Sequence, residues 1–129
     1  MHGMALARLC GAKVLAVYVM DKFAGCGPSS CVLSDTDRAT MSLMESLNKE
    51  GDRATRYVED LAKKEGLEVE RIVVEGNPAE EIMRLANERS ADLIVMGTLG
   101  ATGIKKYLLG SVASKIVQHS VIPVLTIRK

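Results

Sequence analysis

One stretch of the chain gathers the residue types that hold phosphate. It reads Gly97-Thr-Leu-Gly100-Ala-Thr-Gly103-Ile-Lys-Lys-Tyr-Leu-Leu-Gly110-Ser111-Val112. Glycine lets a backbone approach a ligand closely and adopt dihedrals closed to other residues. Successive backbone N–H groups in such turns form a concave anion site. Gly110 and Ser111 open a helical pattern, so the unpaired N–H groups and positive dipole of a helix N-terminus face the same loop. The Ser111 hydroxyl adds a neutral donor for a phosphate oxygen. The spacing is neither a Walker loop, which needs Gly-Lys-Ser/Thr, nor the Gly-x-Gly-x-x-Gly turn of dinucleotide sites. On glycine count alone, a plain connection without ligand is an equal reading.

Other reactive side chains in the sequence offer less. The segment 97–111 contains no acid, histidine or cysteine, whereas phosphoryl transfer uses a carboxylate to hold metal and a group to position water. Lys105 and Lys106 lie inside the loop, where they either screen phosphate charge or form a solvated pair. Asp21 is the one carboxylate expected at the same end of the strands as the loop. Asp92 precedes its strand and falls at the opposite end. His119 ends a helix, where the dipole favours a cation, and His2 sits near the terminus. The cysteines, Cys10, Cys26 and Cys31, are odd in number and match no zinc spacing. They read as reduced thiols, with a regulatory Cys26–Cys31 disulfide as the alternative.

The elements that must position this loop are legible from periodicity. Residues 1–10 are predicted to be a helix stopped by Gly11 in a left-handed cap. The nearly continuous apolar run 13–19 predicts a strand buried on both faces. After a Gly/Pro/Ser-rich loop over 21–34, a long helix is expected over 35–65, with Ser34 as its cap. Its inner stripe is Met44, Leu47, Gly51, Ala54, Val58, Leu61 and Ala62. A strand follows over 68–75, then a turn at Gly76. The next helix is capped by Asn77, begins at Pro78, and turns Ile82, Leu85 and Ala86 inward. Residues 92–96 predict another doubly buried strand. A helix over 111–119 with Val112, Ile116 and Val117 inward comes next, and a last strand over 123–127. This alternation makes the fold class α/β, an open parallel sheet with helices on both faces.

Composition narrows the function classes. The 129 residues fit one domain. The 17 basic and 16 acidic residues leave a formal charge of +1 and no basic footprint for nucleic acid. The aromatics Tyr18, Phe23, Tyr57 and Tyr107 are too few for a base-stacking platform. No apolar run reaches the ~18 residues that would span a bilayer, and the N-terminus lacks a signal peptide's pattern. The expectation is a cytoplasmic protein with no membrane partner.

With these residues in place, the chain resembles the universal stress protein family, ATP-binding subclass. The spacing Gly97-x2-Gly100-x9-Gly110-Ser111 matches that subclass's nucleotide-binding motif in full. Asp92-Leu-Ile-Val-Met-Gly97 resembles the family's fourth strand, and Gly110-Ser-Val-Ala-Ser-Lys-Ile-Val117 its last helix. Ile122-Pro-Val-Leu125 resembles the final strand. Gly76-Asn-Pro-Ala-Glu-Glu-Ile82 resembles the turn before the third helix, and Val17-Tyr-Val-Met-Asp21 the second strand. The resemblance implies ATP as ligand, with Mg2+ or Mn2+ alongside it. It makes Gly97, Gly100, Gly110, Ser111 and Val112 phosphate and ribose contacts. It sets Met96 beside the nucleotide and the Val19 backbone against adenine; the side chains of both also read as ordinary core.

The resemblance further implies a Rossmann-like strand order 3-2-1-4-5 and a homodimer through the last strand. It implies a first strand ending in a nucleotide-holding aspartate, for which this sequence has no counterpart before the first helix. The single domain over 1–129 then reads as truncated at its N-terminus. Either the natural protein starts further upstream, or the neighbouring strands close up, or another chain fills the slot. Met1 and Met4 inside a helical pattern favour the first. Three functions follow: an ATP-binding, stress-responsive regulatory module with at most slow hydrolysis, a slow ATPase or phosphotransferase, or a nucleotide-free dimerisation module.

Overall fold

The computed structural model describes residues 2–21, 38–97 and 110–127. Helices and strands alternate throughout: α1 (His2–Cys10), β1 (Val14–Met20), α2 (Arg38–Lys64), β2 (Val69–Glu75), α3 (Pro78–Glu88), β3 (Ile94–Gly97), α4 (Ser111–His119) and β4 (Val124–Ile127). They fall into two units, one holding residues 3–77 and the other residues 78–129. Each unit contains one two-stranded parallel ladder, β1–β2 in the first and β3–β4 in the second.

In the first unit, α1 ends at Gly11, whose φ of 61° lies in the left-handed region that glycine enters at no cost. β1 pairs with β2 over its whole length, from Val14 opposite Val69 to Met20 opposite Glu75. Only Ala16 of β1 is buried, the rest being half-buried. The expectation of a strand buried on both faces is thus met only in part.

Helix α2 lies across this ladder, with Gly51 seated on Tyr18 and Val73. Its 27 residues make it about 40 Å long, against about 23 Å for the seven residues of β1. Since Gly51 stands over Tyr18, near the end of β1, the first turns of α2 reach past the carboxyl ends of the strands. Ion pairs fix the outer side: Arg71 of β2 donates to Asp52 at 2.7 Å and pairs with Glu59 at 3.4 Å.

The inner stripe of α2 departs from expectation at one position. Ala54 is exposed and Thr55 is buried. Thr55 fits because its hydroxyl donates to the Gly51 carbonyl one turn back at 2.8 Å, so no polar group is left unpaired.

In the second unit, α3 and α4 pack on one face of β3–β4. Ala79, Ala86, Ile94 and Ile116 are buried at its centre, with Ile82, Met83, Met96, Val112, Ile122 and Val124 against them. Lys115 of α4 pairs with Glu80 of α3 at 3.6 Å. Two expectations are corrected here. The run 92–96 is not buried on both faces: Val95 is 41% exposed, and Leu125, directly opposite it in β4, is 38% exposed. The two helices cover the face of Ile94 and Met96, and alternation sends Val95 and Leu125 to the other. Val117 is 46% exposed, and Ala113 takes the inward position. Ala113 and Ile116, three apart, share a helical face that Val117 flanks.

Candidate functional site

The topology of the second unit sets the loop's two anchors at one end of the ladder. β3 and β4 run parallel, so α4, which joins them, runs back against them. Its N-terminus therefore lies at the carboxyl end of β3, where Gly97 ends that strand. Ligands of open α/β sheets bind at this end. Gly100 and the Lys105–Lys106 pair lie outside the described residues, as do Cys26 and Cys31.

Gly110 is the N-cap of α4, with an extended backbone at φ −61° and ψ 161°. Its carbonyl accepts the Ser114 N–H at 2.9 Å and so closes the first helical turn. The N–H groups of Ser111, Val112 and Ala113 precede any intrahelical acceptor, and glycine brings no side chain to cap them. The helix thus presents its donors and its positive dipole to whatever lies beyond it. Ser111 is exposed, so its hydroxyl reaches the same space. At its other end, α4 places the exposed His119 in its last turn, far from these donors.

Hydrogen-bond parity adds a feature that spacing alone does not reveal. Successive residues of a strand direct their backbone groups to opposite edges. The Ile94 N–H donates to Pro123 O at 2.9 Å, so Ile94 and Met96 face β4, and Val95 and Gly97 face away. In the first unit, the Val14 N–H donates to Glu68 O at 2.8 Å and Met20 O accepts from the Gly76 N–H at 3.1 Å. The even-numbered residues of β1 therefore face β2, and the N–H and C=O of Val19 face the other edge. Val19 and Gly97, both singled out by the sequence, thus keep their backbone groups off the ladders.

The side chains of Met96 and Val112 pack on the buried cluster of the second unit, so their structural role is core. Asp21 follows β1 and is half-buried. Asp92 is exposed ahead of β3, at the opposite end from Gly97. Among the described residues, no group of three His, Cys, Asp or Glu side chains is placed to hold a metal ion, and no helix is long and apolar enough to cross a membrane.

An α/β fold of parallel ladders with a helix starting at the carboxyl end of a strand is shared by many protein classes. Comparison with known proteins gives the family. The model of the universal stress protein family matches residues 1–128, and the chain belongs to that family. Universal stress protein MJ0531 of Methanocaldococcus jannaschii is 36% identical over 128 residues, which cover 99% of this chain and 72% of that protein. The solved structure of MJ0577, from the same organism, superimposes with a TM-score of 0.79 at 27% identity, covering 99% of this chain and 83% of that one. A universal stress protein of Arabidopsis thaliana, solved with AMP bound, shares the fold with a TM-score of 0.60 at 19% identity, covering 92% of this chain and 65% of that one.

Proposed function

We propose that this chain is a nucleotide-responsive binding module that takes ATP at the carboxyl ends of its strands. The observation that carries the reading is the start of α4, where three N–H groups without an intrahelical acceptor and the Ser111 hydroxyl follow a glycine cap. The phosphates would lie on Gly97, Gly100, Gly110 and Ser111, with the ribose toward Val112. Adenine would meet the Val19 backbone, whose N–H and C=O are not used by β2. Met96 would support the site from within the core. The AMP bound by the Arabidopsis relative agrees with a ligand of this chemistry.

Mg2+ or Mn2+ would travel mainly on the phosphates, with the Ser111 hydroxyl as a neutral oxygen donor. Bound there, the metal would supply charge neutralisation between phosphate oxygens. The sequence between Gly97 and Ser111 holds no acid or histidine to activate water. This favours a binder that acts through shape or partner over a fast hydrolase.

Calorimetric titration with ATP tests the assignment. Replacing Gly110 by valine restricts the backbone at the cap and sets a branched side chain against the phosphates, so binding should be lost while the circular dichroism stays unchanged. Ser111→Ala removes one donor to a charged group and should weaken binding roughly 10- to 100-fold. Undiminished ATP binding by both variants would contradict the site. Turnover measured on Asp21→Ala and Ser111→Ala separates a binder from an ATPase: only an enzyme has a rate for these changes to abolish.

A further inference from the structure

The outward side of α2 breaks a pattern that α3 keeps. Arg84 of α3 sits between the carboxylates of Glu81 and Glu88. Down the exposed side of α2, Lys49, Arg53 and Arg56 instead follow one another at four- and three-residue steps. Residues so spaced are neighbours on a helix, and like charges there destabilise it. Arg56 reaches Asp52 at 3.4 Å, a carboxylate that Arg71 already holds at 2.7 Å. Lys49 and Arg53 have no partner among the described residues. Glu50, one turn before Arg53, accepts from the Tyr18 hydroxyl instead.

Tyr57 joins these cations one turn on from Arg53 and is 58% exposed, whereas Tyr18 lies under α2 against Gly51. Arginine and tyrosine are the side chains that protein interfaces concentrate. A local arrangement that costs stability and gains nothing inside the fold marks a functional surface. Charge then selects the occupant. The three cations span about 10 Å of helix axis. Carboxylates at the same steps on a second helix repeat with the same rise, so an acidic helix laid alongside meets all three, and an apolar side chain on it covers the Tyr57 ring. A nucleic acid backbone fits less well, because the exposed Asp60 continues the stripe and the whole chain carries only +1. A membrane fits less well too, since Tyr57 alone offers apolar surface to insert.

We propose that the outward stripe of α2, formed by Lys49, Arg53, Arg56 and Tyr57, is the docking surface for an acidic helical segment of another protein. It lies on the side of α2 away from the ladder and needs no nucleotide.

NMR titration of the 129-residue chain tests this with an alanine-based helical peptide of about 18 residues. The peptide carries glutamates at the four- and three-residue steps of the stripe and one leucine; a control has the same composition with its glutamates spread round the helix. Amide shifts should concentrate between Ser46 and Asp60. Arg53→Glu combined with Arg56→Glu should weaken binding at least about tenfold, and Tyr57→Ala several-fold, with circular dichroism unchanged. Arg53→Gln should not lower the urea midpoint; a clear loss would mean that the arginine serves the fold and would overturn the proposal. Equal binding of the control peptide, or equal shifts at Arg84 and Lys115, would reduce the effect to net charge and also overturn it. Tighter binding to duplex DNA or to phosphatidylglycerol vesicles at about 0.15 M salt would assign the stripe to phosphate instead. A dimer of the parent chain that Arg53→Glu dissolves, seen by light scattering, would give the stripe to a second copy and exclude the acidic partner.

Discussion

Gly51 decides how closely α2 approaches β1. A Cβ at this position would stand 2.7 Å from Cδ1 of Tyr18 and 3.0 Å from a methyl of Val73. Alanine would gain up to about 1 kcal/mol in helix propensity, but overpacking against a ring and a branched side chain costs about 1–3 kcal/mol. Gly51→Ala should therefore lower the urea midpoint. Adding Tyr18→Ala should remove the penalty, giving a coupling of about 1 kcal/mol in a double-mutant cycle. A single variant more stable than the parent would refute this packing. Beside it, the hydrogen bond from Arg71 holds the Asp52 carboxyl below the usual carboxylate range. A lowered pKa contributes stability that is present above the unfolded value, near pH 4, and is lost as pH falls through the folded value. Asp52→Asn should thus be less stable than the parent at neutral pH, and thermal melts of the two should converge in acid.

Among the elements, α4 has the most to do, because its buried side anchors the end proposed to face phosphate. Ile116 is fully buried and Val117 is 46% exposed. Ile116→Ala should cost about 2–5 kcal/mol, and Val117→Ala less than about 1 kcal/mol, measured by chemical denaturation. Equal costs would mean that the helix is rotated from the orientation described. Every element was legible in the sequence, because runs of 3.6-residue and apolar patterning alternate and glycines punctuate them. The faces were less legible. Val117 lies one turn on from Ala113, just farther from Ile116 around the helix, and volume alone favours the valine. Thr55 reads as polar until its bond to the Gly51 carbonyl is known. The run 92–96 looks like an interior strand, yet α3 and α4 cover one of its faces and leave Val95 on the other. The glycine spacing marked the end of β3 where α4 begins. That the Val19 and Gly97 backbone groups point away from their ladder partners was hidden, since it depends on register, which the sequence does not print.

At the scale of the molecule, the proposed ligand belongs at the strand ends and the proposed assembly at a strand edge. The register of β3–β4 turns the backbone groups of Val124 and Thr126 away from β3. A two-fold homodimer built by pairing this edge with its copy should appear by light scattering at micromolar concentration, and Thr126→Pro, which removes one outward donor, should yield monomers. A parent chain that is already monomeric would exclude that assembly. The central claim is that a folded chain of this sequence holds adenine nucleotide at the start of α4, and the most direct measurement is mass spectrometry of what stays bound to the purified protein. The account predicts ATP or its hydrolysis products at close to one per chain, absent from Gly110→Val purified in parallel. Protein that is folded, free of nucleotide and unable to retain added ATP through gel filtration would contradict it.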